Sequence, residues 1–404
     1  MRVQRKATIK KHRTNLFRVL SLVIVTICAL VVMEFFFDAD MPVLHLELGS
    51  TNISNRQIDS SSPGKSWCER IAAARSGLDK GLQIFYPCEG MKAATSAVVC
   101  MLTAGVESEK KATRVVFTAR NYIEGAMALG QSVKKNIDTS KTHMLLLVRE
   151  GFFLDPDDAR RLEAVGWVIG IAPDFHLPKQ YIPRFPRYKT TYTKVTAIGL
   201  AEYECAMLLD ADALVVDDIR ELMKCNVFSQ EQHRVAATLD YFRQSWYYFN
   251  TGSILWRTSV EEMNRVFQIS RDGKFMKRFS SDQEFLNHVY PDRMNKRLNN
   301  DIIAGKLDEA NSGSVVALSW DYNAQTHVEV ENINFWKTNR PTVKVLHFTE
   351  KKGWQCEERY DDLITWEDMP HPCDKKTAIC FCREAHLYWR ALRDAKEHGT
   401  KLSS

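Results

Sequence analysis

Apolar runs alternate with amphipathic stretches through the middle of the chain, a pattern typical of strands joined by helices. Apolar residues recur at helical spacing between residues 122 and 137, and DPDDARRLEAV and TTYTKVTAIGLAEY are two further helical stretches. Short apolar runs that predict strands occur at residues 114–120, 143–148, 166–172 and 203–209. Strands that alternate with helices predict a parallel, Rossmann-like sheet covered on both faces.

The fourth of these strands ends in two acidic residues, Asp210 and Asp212. Side chains alternate along an extended segment, so both carboxylates can point the same way just beyond the strand end. Because ligands collect beyond the carboxyl ends of strands in open α/β sheets, this pair suits a divalent cation that neutralises a diphosphate. A solvated turn is the alternative. Asp-x-Asp also occurs at residues 38–40 and at 155–157, where Asp155 and Pro156 predict a helix start.

Near the N-terminus, residues 19–37 form an apolar run in which Glu34 is the only charged residue. At about 1.5 Å per residue, a helix of this length nearly spans a hydrocarbon core of roughly 30 Å. Seven Lys or Arg residues and no acid precede position 19. The positive-inside rule therefore predicts a cytoplasmic tail and an uncleaved type II membrane anchor, with a cleaved signal peptide as the alternative.

The formal net charge of +5 does not indicate a nucleic-acid-binding protein. Seven of the 55 basic residues lie in the N-terminal tail, and the remaining 48 face 50 acidic residues, a net charge of −2. The composition, 45% hydrophobic and 26% charged, is that of an ordinary globular protein. We therefore expect a membrane partner but no nucleic acid.

The ten cysteines fit a location in the oxidising lumen of the secretory pathway. Cys28 lies in the anchor, and Cys205 lies inside an apolar strand, where a buried free thiol is expected. The other eight can form disulfides whose connectivity the sequence does not fix. The sequon at Asn52 predicts glycosylation just beyond the anchor. A zinc site is the alternative to disulfides for Cys356, Cys373, Cys380 and Cys382.

These patterns divide the chain into five predicted segments. They are a basic tail at 1–18, the anchor at 19–37, a lumenal stem at 38–110, an α/β domain at 111–355 and a Cys-rich extension at 356–404. Three prolines in residues 176–194 exclude regular structure there and predict either a substrate-side loop or a solvated connector. The extension is expected to end in a helix at residues 383–397.

Seven segments between residues 113 and 354 occur in a characteristic order: FTARNYIEGAMALGQSV, YTKVTAIGL, LLDADALV, FNTGSILW, SSDQEFLN, LSWDYN and VKVLHFTEKKGW. Their order and approximate spacing resemble the glycogenin-like retaining glycosyltransferases, glycosyltransferase family 8. The resemblance implies a GT-A fold, an α/β fold with a Rossmann-like mixed sheet, here preceded by a transmembrane helix. It also implies a UDP-sugar donor and a bound Mn²⁺ ion, with Mg²⁺ as the alternative.

The resemblance also assigns roles to individual residues. Asp210, Asp212 and His347 match the metal ligands of the family. Thr118 and Tyr122 match positions that hold the uridine by backbone contact and ring stacking. Residues that match positions holding the donor sugar and lining the reaction centre are Lys194, Asn250, Gly252, Asp282 and Gln283.

Two segments depart from the family pattern. Lys352 falls where the family places a lysine on the donor diphosphate, but HFTEKKGW is one residue shorter than H-x-x-G-x-x-K-P-W and lacks its early glycine. Gly353 stands in place of the proline. Before Asp282, FSS replaces the Asp-Gly-Gly of glycogenin, so one carboxylate expected near the acceptor is missing.

The sequence therefore predicts a membrane-anchored, lumenal, metal-dependent retaining glycosyltransferase. It would move a hexosyl unit from a UDP-sugar to a glycan, glycolipid or glycoprotein acceptor in the Golgi, with the endoplasmic reticulum as the alternative location. The competing hypothesis is a lumenal binding or scaffold protein that keeps the fold without turnover. A soluble glycogen primer conflicts with the anchor and the cysteines.

Overall fold

The computed structural model describes residues 66–103, 112–175, 188–240, 249–272, 281–291, 313–349, 351–356, 358 and 382–401. The predicted anchor, the sequon and most of the proline-rich segment lie outside these ranges. Among the helices that are described, none combines the length and apolar character needed to cross a membrane.

Ten strands form the two sheets of the described residues. They are β1 (Ser96–Leu102), β2 (Thr142–Arg149), β3 (Val168–Ala172), β4 (Cys205–Leu209), β5 (Ala213–Val215), β6 (Val235–Leu239), β7 (Phe249–Arg257), β8 (Val315–Ala317), β9 (Ala324–Gln325) and β10 (Val345–His347). The larger sheet has the order β3-β2-β1-β4-β7-β6-β8. Only β7 runs antiparallel to its neighbours. The smaller sheet has the order β5-β10-β9.

Nine α-helices accompany these sheets in the described ranges. They are α1 (Trp67–Ala74), α2 (Ala112–Asn136), α3 (Pro156–Ala164), α4 (Tyr188–Thr191), α5 (Val260–Asp272), α6 (Asp282–Val289), α7 (His327–Glu331), α8 (Ile333–Asn339) and α9 (Cys382–Lys401). Two buried apolar clusters lie on opposite faces of the larger sheet. One includes α2, α3 and α9, and the other includes α1, α5 and α6. The predicted mixed α/β architecture with helices on both faces is confirmed.

The first strand of the sheet differs from the prediction. Residues 114–120 belong to α2, so the strand predicted there is wrong. A short apolar run does not distinguish strand from helix by periodicity, and here the helical spacing extends through it. The strand is instead β1, which pairs with β2 and β4 and is buried along its whole length. The larger sheet therefore includes a strand that lies before residue 111, where the α/β domain was predicted to begin.

Other predicted elements match the structure closely. Asp155 caps α3 and accepts a hydrogen bond from the Asp157 backbone N–H, with Pro156 in the first turn. The predicted helix at residues 190–203 is a short α-helix, α4, followed by a 3₁₀ helix, Tyr192–Gly199. The predicted C-terminal helix at 383–397 is α9.

The cysteines correct two predictions. Cys205 is not a free thiol but forms a disulfide with Cys225, which joins β4 to the turn after residues 222–224. Cys100, one of the eight cysteines that could have formed disulfides, is buried in β1 as a free thiol. A second disulfide, Cys68–Cys88, links α1 to the segment before β1. Cys356 is also disulfide-bonded, which removes one of the four proposed zinc ligands.

A buried ion pair fastens α1 to the amino end of β4. The Arg75 guanidinium donates to both carboxylate oxygens of Glu202 and to the Ile84 carbonyl. Tyr86 donates to the same carboxylate at 2.5 Å, and its hydroxyl lies 3.1 Å from that of Tyr203. The segment before β1 is therefore part of the folded domain.

Candidate active site

Strand β4 positions the acidic pair at the carboxyl end of the larger sheet. The Asp210 backbone N–H donates to the Gly252 carbonyl at 2.9 Å, and a tight turn follows in which Ala213 donates to the Asp210 carbonyl. Strand β5 then pairs antiparallel with β10, so that His347 faces Ala213. One ligand atom from each of Asp210, Asp212 and His347 lies within 4.8 Å of the others. The structure thus brings the three predicted metal ligands together.

Asp212 lies between a histidine and a lysine. Its Oδ2 forms a salt bridge with Lys352 Nζ at 2.6 Å, and its Oδ1 lies 3.6 Å from His347 Nε2. Burial raises the pKa of Asp212, but the charge of the neighbouring Lys352 ammonium group outweighs this effect, and the pKa is lowered to about 2. Oδ1 is buried and has no hydrogen-bond partner. A buried carboxylate oxygen without a partner is costly unless a ligand satisfies it.

Asp210 is held by a different lysine. Lys194 Nζ lies 2.6 Å from Asp210 Oδ1 and 3.7 Å from Asp282 Oδ2, so one ammonium group bridges two carboxylates. Burial raises the pKa of Asp210 to about 6, against the lowering effect of Lys194. Lys194 therefore fixes the distance between the acidic pair and the start of α6.

A chain of amides orients the histidine. The Asn323 side-chain oxygen lies 2.9 Å from His347 Nδ1, and the Asn323 amide donates to the Asn250 side-chain oxygen at 3.0 Å. That oxygen also accepts the Gly252 backbone N–H at 2.9 Å. If Asn323 Oδ1 accepts from Nδ1–H, Nε2 is left with its lone pair toward Asp212, the form that binds a metal. Burial lowers the pKa of His347 to about 4, which keeps the ring neutral.

Gly252 is required by this arrangement for reasons of space. A Cβ at this position would lie 2.0 Å from His347 Cε1. No side chain other than hydrogen fits there while the ring keeps its place. Gly252 therefore contributes to the site through its size, not through a contact with a ligand.

The predicted sugar-binding residues lie at the start of α6. Asp282 accepts from the Thr251 hydroxyl at 3.0 Å and is 6% exposed. The Gln283 amide donates to Asp240 Oδ2 at 2.7 Å. Asp240, at the end of β6, is thus a carboxylate of the site that sequence reasoning missed. Asp240 therefore brings a carboxylate from the end of β6 next to the start of α6.

Tyr122 lies beside Trp354, with ring centroids 5.0 Å apart in an edge-to-face contact. One turn further along α2, a Cβ on Gly125 would meet the Ala211 carbonyl at 2.4 Å and the Trp354 ring at 2.6 Å. This glycine lets α2 lie directly against the acidic turn. Thr118 lies in the first part of α2, for which the structure describes no side chains.

The donor set fits a divalent cation. Two carboxylates and a neutral imidazole converge, and the buried Oδ1 of Asp212 is the atom that most requires a ligand. A site with carboxylate oxygens and one imidazole nitrogen is typical of Mn²⁺. Mg²⁺ can also bind such a site, but less favourably. The structure therefore supports a metal site at Asp210, Asp212 and His347 without fixing the ion.

Asn323 is a second residue that sequence reasoning missed. It lies in LSWDYN, one of the segments that carry the family resemblance, but the sequence alone gives it no chemistry. The signal that could have found it is the requirement that a metal-binding histidine has a partner for its second nitrogen.

A curated protein sequence and several solved structures are similar to this chain. No protein-family model matches the chain. The chain is 27% identical over 249 residues to inositol phosphorylceramide glucuronosyltransferase 1 of Arabidopsis thaliana. The match covers 61% of this chain and 42% of the relative, so the chain spans less than half the length of that protein.

Several solved glycosyltransferases have a low structural similarity to this chain. The bifunctional glycosyltransferase WbbM has a TM-score of 0.46 at 16% identity, covering 67% of this chain and 48% of that chain. GlyE of Streptococcus pneumoniae has a TM-score of 0.44 at 13% identity, covering 77% and 64%. LgtC, a galactosyltransferase solved with donor and acceptor sugar analogs, has a TM-score of 0.40 at 15% identity, covering 76% and 96%. The sequence similarity to the plant protein indicates that this chain is a homologue of a glycosyltransferase.

Proposed function

We propose that this protein is a metal-dependent retaining glycosyltransferase with a GT-A fold that transfers a hexosyl unit from a UDP-sugar. The observation that carries the proposal is the convergence of Asp210, Asp212 and His347, with an unsatisfied buried oxygen on Asp212. The homologous plant enzyme supports the same reaction class.

The two lysines divide the work of neutralising charge. A bound cation would supply Lewis-acid stabilisation of the departing diphosphate. Lys352, already 2.6 Å from Asp212, is placed to donate to diphosphate oxygens as the glycosidic bond breaks. Lys194, between Asp210 and Asp282, holds the donor-sugar residues at a fixed distance from the acidic pair. Both groups are preorganised by burial, which makes each charge more effective than in water.

The donor sugar would lie between the acidic pair and α6. Gly252 lies against the His347 ring, and Asp282 and Gln283, at the amino end of α6, both accept hydrogen bonds from Thr251, the residue before Gly252. Asp240 and Asp282 are carboxylates near this region, but both are already hydrogen-bonded, and we assign neither as a nucleophile. We therefore infer same-face attack by the acceptor hydroxyl, with Asp282 and Gln283 orienting the sugar and Tyr122 and Thr118 holding the uridine.

The sequence leaves four donors in competition: UDP-glucose, UDP-galactose, UDP-N-acetylglucosamine and UDP-glucuronic acid. The plant relative is named as a glucuronosyltransferase that acts on inositol phosphorylceramide. We therefore place UDP-glucuronic acid first among the donors and a glycolipid first among the acceptors. Lipid acceptors also agree with the predicted anchor and a Golgi location.

A self-glycosylating primer is the less supported form of this function. The primer reading needs an acceptor tyrosine between the Tyr-Asn segment and His347, and residues 324–346 contain none. We expect turnover to require an added acceptor, apart from slow hydrolysis.

The test uses the full-length chain in detergent with the four UDP-sugars, Mn²⁺ and a lipid extract as acceptor. We expect UDP release with one donor, abolished by chelation and restored by Mn²⁺. The matched control is Asp157→Asn, which changes an Asp-x-Asp pair at the start of α3. UDP binding without release from any donor would favour the scaffold hypothesis. Label on a tyrosine of the chain itself would favour the primer.

A further inference from the structure

The C-terminal helix α9 lies directly behind the loop that carries Lys352. Tyr388, on the buried face of α9, is 1% exposed. A Cβ on Gly353 would lie 2.3 Å from Cγ of the Tyr388 ring. The backbone next to Lys352 thus rests on the face of this ring.

The same ring contacts both ends of the loop. The Phe348 ring lies 6.0 Å and the Trp354 ring 6.1 Å from the Tyr388 ring between centroids, both in edge contacts. The Phe348 carbonyl in turn accepts from Lys352 Nζ at 2.7 Å, while the same ammonium group contacts Asp212. Tyr388 therefore contacts Phe348, which lies before the turn that carries Lys352. It also contacts Gly353 and Trp354, the two residues that follow the lysine.

Trp354 carries the contact onward to α2. Its ring contacts both the Tyr388 ring, at 6.1 Å between centroids, and the Tyr122 ring, at 5.0 Å. Trp354 thus joins α9 to the loop that carries Lys352 and also contacts Tyr122 of α2.

Ion pairs hold α9 against α2. Lys135 lies 2.6 Å from Asp394, and Lys396 lies 3.3 Å from Glu124. Cys356, which follows the loop directly, packs with Ala385 of α9 and is disulfide-bonded. The helix is thus anchored at several points and can act as a rigid support.

We propose that Tyr388 is a positioning residue that sets the place of Lys352 through Gly353 and Trp354. This inference rests on the proposed function. It also accounts for Gly353 where the family has proline, because a proline ring there would overlap the tyrosine. The C-terminal extension therefore replaces the stiffness of the proline with an external support.

The decisive experiment is a double-mutant cycle on the full-length protein. Tyr388→Leu should lower kcat for metal-dependent UDP release about 10- to 100-fold, since a displacement of about 1 Å can cost roughly 100-fold. Tyr388→Phe, which keeps the ring, should stay within about threefold of wild type. In a Lys352→Ala background, Tyr388→Leu should cost less than about threefold more, because the lysine through which it acts is gone.

The matched control is Leu392→Ala, one turn further along the buried face of α9. Leu392 is fully buried in the same cluster, so its truncation should lower the melting temperature. The kcat of the folded fraction should not change. A second variant, Gly353→Ala, presses a methyl group onto the tyrosine without opening a cavity and should also lower kcat.

Three outcomes would contradict the proposed role of Tyr388. Equal losses from Tyr388→Leu in the wild-type and Lys352→Ala backgrounds would overturn the inference and leave a structural role. Normal kcat in both Tyr388→Leu and Gly353→Ala would overturn it as well. Wild-type protein that neither binds UDP nor releases it would overturn the proposed function, and the inference with it.

Discussion

Two clusters of charged side chains lie at opposite ends of β4. They differ in whether all their buried polar atoms have hydrogen-bond partners. At the amino end, Arg75 and Glu202 use their donors and acceptors on each other and on neighbouring groups. At the carboxyl end, Asp212 keeps a buried oxygen without a partner, and burial raises the pKa of Asp210 to about 6. Both clusters are buried, but only the second leaves capacity for a ligand.

The difference separates a structural ion pair from a candidate site. Burying charge is costly, and a protein recovers that cost when hydrogen bonds satisfy every atom. Where atoms stay unsatisfied, the cost is retained until a ligand binds. We infer that the Arg75–Glu202 pair is needed for stability and the Asp212 cluster for binding, so that substitutions in the two clusters should have opposite consequences.

The largest effect is expected from Asp212→Asn. The change keeps the shape but removes a charge from the metal site, so kcat should fall by roughly 1,000-fold or more, about 4 kcal/mol of transition-state stabilisation. Thermal stability should fall less than in Glu202→Gln, because Lys352 keeps its hydrogen bond to the Phe348 carbonyl. Metal-dependent UDP release and a melting curve measure the two effects. Near wild-type release would contradict the assignment of the site.

Glu202→Gln should show the reverse. It leaves the buried Arg75 guanidinium without its counter-charge, which should cost about 3 kcal/mol of unfolding free energy. The kcat of the folded protein should not change. Urea unfolding measures the loss, and Glu204→Gln, an exposed neighbour, should stay within about 0.5 kcal/mol of wild type. A catalytic defect without a stability loss would break the comparison.

Two adjacent lysines test the register of the diphosphate loop. Lys352→Ala should lower kcat about 100-fold with a smaller effect on UDP-sugar binding, since its charge matters most as the diphosphate leaves. Lys351→Ala should be mild. Steady-state kinetics at saturating metal distinguish the two. Equal effects would mean that the shortened loop places Lys351 toward the substrate as well.

A buried acidic residue in α9, Glu384, should give a smaller effect, a pH dependence of the stability. Burial raises the pKa of Glu384 in α9 to about 7, from a usual value of 4.5. The folded state therefore holds a proton that the unfolded state releases, and stability present below about pH 4.5 is lost as pH rises to about 7. Glu384→Gln should flatten this loss between pH 5 and pH 8, since burial and the neighbouring Glu384 raise the pKa of Glu329 to about 10 and keep Glu329 protonated over that range.

Melting curves at several pH values test this expectation. Glu331→Gln, at an exposed position on α7, serves as the control and should leave the pH profile unchanged. A profile that Glu384→Gln does not alter would show that folding does not raise the pKa of this carboxyl group.

The sequence predicted the parts of this molecule that local chemistry determines. The apolar run before Asp210, the capped start of α3 and the segment order around His347 all encode their roles in a few residues. Strand β1 was missed because a continuously apolar strand next to a polar stretch looks like a stem until its partners are known.

The missed site residues have a common cause. Asn323 and Asp240 act through contacts that cross from one element to another, to His347 and to Gln283. Their roles depend on which strand ends meet, and residue type alone does not encode that. The Cys205–Cys225 disulfide was missed for the same reason, since pairing depends on the path of the chain between the two cysteines.

Gly252 shows how a residue without functional groups can be indispensable. A methyl group there would overlap the imidazole of His347, so Gly252→Ala is expected to damage the metal site as much as the loss of a ligand. Missense variants at this glycine in a population would be scored as conservative by residue similarity. They belong instead with substitutions of the acidic pair when inherited variation in this gene is interpreted.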